Sequence, residues 1–425
     1  MSESSASAVV GAEPPGETPG APRRSPFAAL DVLRYRNYRL LWTGTLFSSS
    51  GLWIQQVSVG WLTYELTGSA FLLGLVNGFR AIPLLFLAPI GGVAADRFDS
   101  RRLMLTTQLF MMTVTAIFAT ICFTGHAAVW NIILFTLLSG VAWAFNMPVR
   151  QSVIPHTVPR SALVSAIALN SVGFNITRVI GPSIGGLLIA AVGVAGNFYL
   201  QALAYVGVAA MIYQLQLPKY DRARRDTSVW RNLLEGLGYL GTHPILRSQM
   251  ALALIPVVVA LPYISLMPIF AKDVLNVGPE GYGVMMAAPG IGALVGTGTI
   301  ASIGSIRRKG LLLFVSLTGL GISLVAFSLS TSYPLSILLL ALTGGFQMTY
   351  MTTNQTLLQL TTPDEFRGRV MGIYMLNQGL QPLGSLIAGT LAAVATAPIA
   401  VFLMGISCLI LTVAAYALMP SMRDV

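Results

Sequence analysis

Two arginines lie deep inside long apolar stretches of this sequence, where a positive charge is costly. Arg80 follows LLGLVNGF and Arg178 precedes VIGPSIGG, and no Asp or Glu lies deep in either stretch. An arginine at the centre of a membrane-spanning helix costs about 2.5–3.5 kcal/mol on insertion scales, so neither should face lipid. Each could bond backbone carbonyls, extend to the membrane surface or reach a loop carboxylate. The alternative chemistry is recognition of an anionic or acceptor-rich small molecule.

Amide, hydroxyl and indole groups recur at helical spacing in the apolar stretches. With the two arginines they form a set of pathway candidates: Trp53, Gln56, Asn77, Arg80, Asn146, Asn175, Arg178, Gln347, Tyr350, Asn354, Tyr374, Asn377 (or Gln378) and Gln381. Asn77 shares a helix face with Arg80, and Asn175 shares one with Arg178. Such groups either line a polar pathway or join helices by hydrogen bonds, and we expect about half of them to do the latter.

The sequence lacks the sets of residues that enzymatic chemistry needs. The sequence holds no paired intramembrane carboxylate and no phosphate-cradling loop. Cys122 and Cys408 lie inside apolar stretches and predict no disulfide framework, and His126, His156 and His243 fall in polar breaks and predict no metal site. We therefore expect no enzyme, no cofactor and no metal.

Composition places the chain in the membrane class. Its 425 residues are 55% hydrophobic and 9% charged, with a mean hydropathy of +0.73, whereas soluble domains carry about 25% charged residues. A membrane span needs about 20 apolar residues. Twelve stretches satisfy this: 39–63, 70–94, 103–124, 129–150, 162–191, 195–216, 247–271, 280–303, 310–330, 335–359, 368–393 and 397–419.

Basic residues predict the orientation. Of the 25 Lys and Arg residues, Lys272 stands alone on one side and Arg80 and Arg178 lie within spans; the other 22, Arg150 among them, fall in breaks on the opposite side. This asymmetry predicts that both termini are cytoplasmic in a multi-pass inner-membrane protein. Because the basic residues are scattered over short breaks, the formal charge of +10 indicates no nucleic-acid partner.

The chain divides into two similar halves. We expect a disordered cytoplasmic tail (1–26), a six-helix half (27–216), a cytoplasmic connector with an interfacial helix (217–246) and a second six-helix half (247–425). At a constant offset of 204, four residues of the first half match four of the second: Gly140 and Gly344, Gln151 and Gln355, Pro159 and Pro363, Gly185 and Gly389. Together with equal numbers of spans, these matches indicate duplication.

The break after the second span carries a motif of small and charged residues. It runs from Gly92 through Asp96, Arg97 and Arg101, and it resembles the signature of the major facilitator superfamily. Asp99 stands where that family usually has glycine. An acidic residue at this position resembles the branch of enterobactin exporters and macrolide efflux pumps. Asp96 could engage the positive end of a neighbouring helix and act as a conformational latch; an ordinary positively charged loop is the alternative.

The fifth span contains Gly181, Pro182, Gly185 and Gly186. This GPSIGG segment resembles the antiporter signature of exporters in the same family, and it favours export over uptake. The glycines permit close helix packing, and we expect the partner to be the eighth span through Gly292 and Gly296. Ordinary small-residue packing is the alternative.

The resemblance implies an all-α bundle of twelve transmembrane helices that transports by alternating access. We expect a monomeric secondary transporter in the lipid bilayer, exporting a small amphipathic molecule such as a drug, a siderophore-like compound or another secondary metabolite. Proton (H+) antiport would use Glu65 or Asp96 as the proton site; the membrane potential could instead drive an anion. The alternatives are an importer or lysophospholipid flippase of the same fold and, more distantly, a non-transporting receptor or scaffold.

Overall fold

The computed structural model describes residues 30–217, 229–303 and 308–423, and all regular structure within them is helical. Within these ranges, eight helical stretches are long and apolar enough to cross a membrane: Ser100–Phe123, Val129–His156, Arg160–Tyr213, Pro244–Val274, Pro279–Ile300, Lys309–Leu329, Tyr333–Thr361 and Ala397–Leu418. The predicted tail (1–26) lies outside the described residues, as does the charged part of the predicted connector (218–228).

The described helices are long rods joined by short turns. In the first half they are α1 (Arg36–Thr67), α2 (Ala70–Arg97), α3 (Ser100–Phe123), α4 (Val129–Val153) and α5 (Leu163–Tyr213). In the second half they are α6 (Val229–Thr242), α7 (Pro244–Leu254), α8 (Tyr263–Ile269), α9 (Pro279–Ile303), α10 (Lys309–Leu329), α11 (Tyr333–Thr361), α12 (Asp364–Gln378), α13 (Gln381–Val394) and α14 (Ala397–Leu418). Two π-helical segments, Ile255–Ala260 and Phe270–Val274, make α7 and α8 part of one rod.

Local sequence explains where these rods begin and end. Gly68 closes α1 in the left-handed region at φ 58°, which glycine adopts without a Cβ penalty. Ser69 then caps α2, because its hydroxyl accepts the Leu72 amide at 3.3 Å. Gly193, at φ 71° and ψ 174°, interrupts α5 at the boundary that the sequence predicts between its fifth and sixth spans. The long α5 is therefore two helices that meet at Gly193.

The two halves pack in the same way. In the first half α2 packs on α4, and α3 packs on α4 and on α5; in the second half α9 packs on α11, and α10 packs on α11 and on α14. The halves meet along two helix pairs, α5 with α9 and α2 with α13. Because α2 corresponds to α9 and α5 corresponds to α13, a two-fold rotation exchanges the two pairs, so the interface has approximate two-fold symmetry.

Glycines bring the backbones of both interface pairs into direct contact. A Cβ on Gly186 of α5 would lie 2.9 Å from the Gly283 Cα of α9, and one on Gly389 of α13 would lie 3.0 Å from the Gly74 Cα of α2. Carbon atoms pack at about 3.5–4.0 Å, so neither crossing accepts a side chain. We call these two contacts the glycine crossings; they close one end of the molecule.

The helix predicted within the connector is present as α6, and it packs on α12. Glu235 and Arg369 form an ion pair at 3.0 Å, and the ring of Tyr239 stacks on Phe366 at 4.1 Å. Leu234 is exposed on the remaining surface of α6. The connector is thus attached to the second half through α12.

Candidate functional site

A cavity of about 450 Å³ lies against α1, α3, α4, α5 and α11. Its polar lining consists of Thr45, Ser48, Ser49, Thr107, Gln108, Asn146, Arg150, Gln151, Asn170, Ser171, Asn175, Arg178 and Tyr205. Its apolar lining consists of Met111, Ala142, Trp143, Met147, Ile154, Phe174, Met348 and Met351. No Asp or Glu is among the described residues that line it, so its two charged side chains are both arginines.

The cavity lies toward the end opposite the glycine crossings. From α1 it is lined by residues 45–49, whereas α1 reaches the closed end near Tyr64. From α5 it is lined by residues 170–178, which precede Gly186 at its crossing with α9. The molecule therefore has one closed end and a chamber between that end and the opposite side.

Arg150 is buried in the wall of this chamber, with 8% of its surface exposed. Its Nη1 donates to Thr45 Oγ1 at 2.7 Å, its Nη2 to Ser48 Oγ at 3.2 Å and its Nε to Asn146 Oδ1 at 3.2 Å. All three acceptors are neutral, so the bonds fix the guanidinium without neutralising it. Arg150 is not among the predicted pathway residues, because an arginine at the end of an apolar stretch fits the positive-inside pattern.

Arg178 is the second cation of the chamber. Its Cζ lies 6.0 Å from the ring centre of Trp53, at the limit of a cation–π contact. Within the described residues its guanidinium makes no hydrogen bond and no ion pair. The described residues thus give Arg178 neither a backbone-carbonyl bond nor a carboxylate partner, and its role in the pathway stays a prediction.

Arg80 occupies a different environment. Its Nη1 donates to Gln56 Oε1 at 3.3 Å, which links α2 to α1. Asn77 donates to the Leu73 carbonyl of its own helix at 3.0 Å. None of the three lines the chamber described above.

The remaining predicted pathway residues divide between the two halves. Asn146 and Asn175 line the chamber, and the Nδ2 atom of Asn146 also donates to Thr107 Oγ1 at 2.8 Å. Trp53 lies beside the chamber, against Arg178 and Phe174. The residues predicted on the tenth and eleventh spans do not line it: Gln347, Tyr350, Asn354, Tyr374, Asn377 and Gln381.

The polar stripe on α11 is buried inside the second half. Gln347, Tyr350 and Asn354 are at most 5% exposed. The Tyr350 hydroxyl and both amide atoms of Asn354 have no hydrogen-bond partner among the described residues. On the eleventh predicted span, Tyr374 is buried, and Asn377 donates to the Met250 carbonyl at 3.2 Å, joining α12 to α7.

The motif between α2 and α3 is partly described. Among the described residues, no atom outside the backbone of its own helix lies within 4 Å of a Cβ built on Gly92. Arg97 is exposed, and the side chain of Asp96 lies outside the described residues. Arg101 donates to the Tyr213 carbonyl and lies 5.0 Å above the Tyr213 ring, so it ties this loop to the end of α5. Asp99, the departure from the family pattern, caps α3 by accepting the Arg102 amide at 2.8 Å.

The glycines of the GPSIGG segment face two different helices. A Cβ on Gly181 would lie 2.7 Å from the Trp53 Cβ, and one on Gly185 would lie 3.2 Å from the Ile54 Cα, so both face α1. Gly186 faces α9, with the backbone of Pro182 beside it at the same crossing. The segment thus packs α5 on its own half and on the other half at once.

The eighth span does pack on the fifth, but not through the predicted glycines. A Cβ on Gly292 would lie 2.9 Å from the Gly345 nitrogen, and Gly296 also faces Gly345, so both face α11. The α9 glycines that face α5 are Gly283, at its crossing with Gly186, and Gly290, where a Cβ would lie 2.8 Å from the Val179 Cγ2. The expected face of the eighth span was wrong because several of its faces carry glycines.

A polar link joins the two halves at the closed end. Tyr64 of the first half donates its hydroxyl to Asp273 of the second, and the Lys272 ammonium lies 5.8 Å from the Tyr64 ring centre. Glu65, the other predicted proton site, is exposed beside Tyr64 at the end of α1.

Removing this link should weaken the closed end. The Tyr64–Asp273 bond contributes only about 1 kcal/mol, because Asp273 is exposed and water weakens the interaction. We therefore expect Tyr64→Phe to raise the population that is open at this end roughly fivefold. Spin labels at Leu66 and Val394, both exposed at this end, would measure that population in a chain with Cys122 and Cys408 replaced by alanine. Tyr333→Phe is the control, since Tyr333 bonds Gly281 within one half. Equal populations in both variants would contradict the expectation.

Comparison with known proteins supplies independent findings. The sequence profile of the family described as "Transmembrane secretion effector" matches residues 25–424. The chain is 28% identical over 380 residues to the Staphyloferrin A transporter of Staphylococcus aureus, covering 88% of this chain and 95% of that protein. It is 27% identical over 396 residues to the multidrug efflux pump Tap of Mycolicibacterium fortuitum, covering 91% and 96%.

A third relative and two solved structures extend this picture. Macrolide efflux protein A of Streptococcus pyogenes is 22% identical over 368 residues, covering 84% of this chain and 91% of that protein. The inward-facing, unoccupied structure of a bacterial homolog to the human lysosomal transporter Spinster superposes with a TM-score of 0.73 at 14% identity, covering 92% of this chain and 98% of that chain. A D-xylose-proton symporter superposes at 0.70 and 11% identity, covering 92% and 99%. At these identities the structures establish the fold alone.

Proposed function

Because the chain belongs to the transmembrane secretion effector family, within the efflux branch of the major facilitator superfamily, we propose that it exports a small amphipathic molecule by alternating access. Membership makes it a multi-pass inner-membrane transporter and not an enzyme. The observation that carries the proposal is the chamber of about 450 Å³, whose lining combines two arginines with aromatic and thioether side chains.

The proposed topology has twelve transmembrane helices, with both termini cytoplasmic. Eight of the proposed spans are accounted for by the eight long apolar stretches among the described residues. The other four are proposed from the lengths and breaks of further helices. The break at Gly193 divides the 51-residue α5 into two spans. α1 has 32 residues and α2 has 28, each long enough to cross a bilayer of about 30 Å. α12 and α13 together form the proposed eleventh span, interrupted at Gly379 and Leu380.

The conformation supports an alternating-access cycle. The glycine crossings and the Tyr64–Asp273 bond close the end that this topology assigns to the outside. The chamber lies toward the other, cytoplasmic end, so a molecule from the cytoplasm would enter it first. Rocking of one half against the other about the α5–α9 and α2–α13 pairs would then open the chamber outward.

The relatives' names favour export. The proteins named Tap and macrolide efflux protein A are efflux proteins by description, and the Staphyloferrin A transporter carries its substrate in its name. We propose that Arg178, Asn146 and Asn175 contact the substrate in the chamber. The remaining pathway candidates would act in other steps of the cycle or in helix packing. We also propose that the protein functions as a monomer.

Two energy sources are compatible with this arrangement. Proton antiport would use Glu65 or Asp96; Glu65 does not line the chamber, and the side chain of Asp96 lies outside the described residues. An anion would be driven outward by the membrane potential, with about 2.3 kcal/mol per charge per 100 mV. The absence of acids among the described lining residues favours the potential.

The function can be tested without knowing the substrate. Proteoliposomes containing the purified protein would be incubated with a small-molecule extract of the host, and the compounds that enter would be identified by mass spectrometry. We expect specific soluble compounds to accumulate above the level in empty liposomes, and the same compounds to be retained in cells that lack the protein. Accumulation of lipid alone would support the flippase alternative. Loss of uptake by the deletion strain would support the importer, and the absence of any flux would support the receptor.

A further inference from the structure

The chamber's positive charge has no counter-charge on the helices that form it. No acidic residue occurs between Asp99 and Asp221, so α3, α4 and α5 contain none, and α11 also contains none. The single acid of α1, Glu65, is exposed at the closed end. A buried cation without a partner is strongly destabilising. Arg150 is buried and Arg178 is partly buried, so a negatively charged molecule in the chamber would supply the counter-charge that these helices lack.

Arg150 is positioned as a binding group, not as a structural ion pair. A guanidinium has five N–H donors. Three are used on Thr45, Ser48 and Asn146, which leaves two without a partner among the described residues. Because three bonds hold the group, little conformational entropy remains to be lost when an anion binds.

The opposite wall of the chamber has a different chemistry. The second half contributes Met348 and Met351 to the lining, which are polarizable and adapt to irregular apolar shapes. Trp143 and Phe174 add aromatic surface from the first half. A ligand that satisfies both walls carries an acidic group on one side and an apolar body on the other.

We propose that the substrate is an amphipathic organic anion, whose acidic group is held by Arg150 and Arg178 and whose apolar part lies against Met348 and Met351. The proposal rests on the export function argued above and makes Arg150 a specificity-determining residue. A phosphate or carboxylate of a lipid headgroup offers the same chemistry as a soluble organic acid, so the experiment includes both.

The test compares two probes that differ by one charge. Dansylglycine carries a carboxylate, and dansylglycinamide has the same fluorophore and no charge. Binding to the full-length protein in phosphatidylcholine nanodiscs would be followed by energy transfer from the protein's tryptophans. We expect Arg150→Gln and Arg178→Gln each to weaken dansylglycine binding at least tenfold, Arg178→Lys to weaken it less, and Arg160→Gln, at an exposed position outside the chamber, to leave it unchanged.

The uncharged probe shows whether each variant keeps an intact chamber. We expect dansylglycinamide to bind all variants equally and more weakly than dansylglycine binds the unaltered protein. Three results would overturn the proposal: equal affinity of the unaltered protein for the acid and the amide, no binding of the acid, or full affinity for the acid in both glutamine variants. Export of other compounds in the extract assay would still leave the proposed function standing. Displacement of bound dansylglycine by decanoate assigns the site to a soluble anion; displacement by lysophosphatidylglycerol alone assigns it to a lipid headgroup.

Discussion

Replacing Gly283 with valine is expected to abolish transport and to open the closed end of the molecule. A Cβ at Gly283 would lie 3.0 Å from the Gly186 Cα, and both atoms at that contact belong to helix backbones. No flexible side chain lies at this contact that could move aside, so α5 and α9 must separate by about 0.5–1 Å to accommodate the Cβ alone. The two methyl groups of valine require a further separation. The closed state loses its packing, and the population shifts to the state with this end open.

Two measurements would show the effect of Gly283→Val. The spin-label distance between positions 66 and 394 should lengthen, and the flux of a transported compound should fall more than tenfold. Gly298→Val is the matched control on the same helix, because among the described residues a Cβ there meets no heavy atom within 4 Å apart from the backbone of its own helix. Unaltered flux and label distances in Gly283→Val would show that the crossing is not part of the transport cycle.

A membrane potential alone is expected to concentrate an anionic substrate about fiftyfold. A lumen-positive potential of about 100 mV across proteoliposomes supplies about 2.3 kcal/mol per elementary charge, which corresponds to a ratio of about fifty for a singly charged anion. Dansylglycine would be the probe, with the potential set by potassium and valinomycin at equal pH on both sides. Because this is an equilibrium ratio, it does not depend on how the protein is oriented.

The controls separate the two energy sources. Protein-free liposomes report passive entry, and Arg178→Gln should reduce the initial rate of accumulation by at least tenfold. Glu65→Gln should accumulate the probe normally, because Glu65 is exposed at the closed end and lies outside the chamber. Accumulation that follows an imposed pH difference and ignores the potential would reject the potential-driven mechanism. Loss of that pH response in Glu65→Gln would then identify the proton site.

The family and much of the architecture could be predicted from the sequence. Membership of the efflux branch of the major facilitator superfamily is confirmed by the family match and by the relatives. The apolar stretches correspond closely to the helices, since length and hydropathy determine what can lie in a bilayer. Gly193 shows how local this information can be, because the predicted boundary between two spans falls on the residue whose backbone breaks α5.

Details that depend on helix rotation could not be predicted. Arg150 lies only three residues before the end of α4, where a loop arginine and a buried one look alike in sequence. Its bonds to Thr45 and Ser48 join residues more than 100 positions apart, and no periodicity within either helix encodes that contact. Gly292 and Gly296 form a small-residue pair as clear as any on the eighth span, yet the glycines that meet α5 are Gly283 and Gly290.

The proposed transport cycle requires that the chamber is reached from the cytoplasm while the other end of the molecule is closed. A single cysteine in place of Ser171, which lines that chamber, would test this in a chain without Cys122 and Cys408. A membrane-impermeant maleimide should modify it at least ten times faster in inside-out vesicles than in right-side-out vesicles. Equal rates, or faster modification from the outside, would contradict the proposed orientation and the closed end.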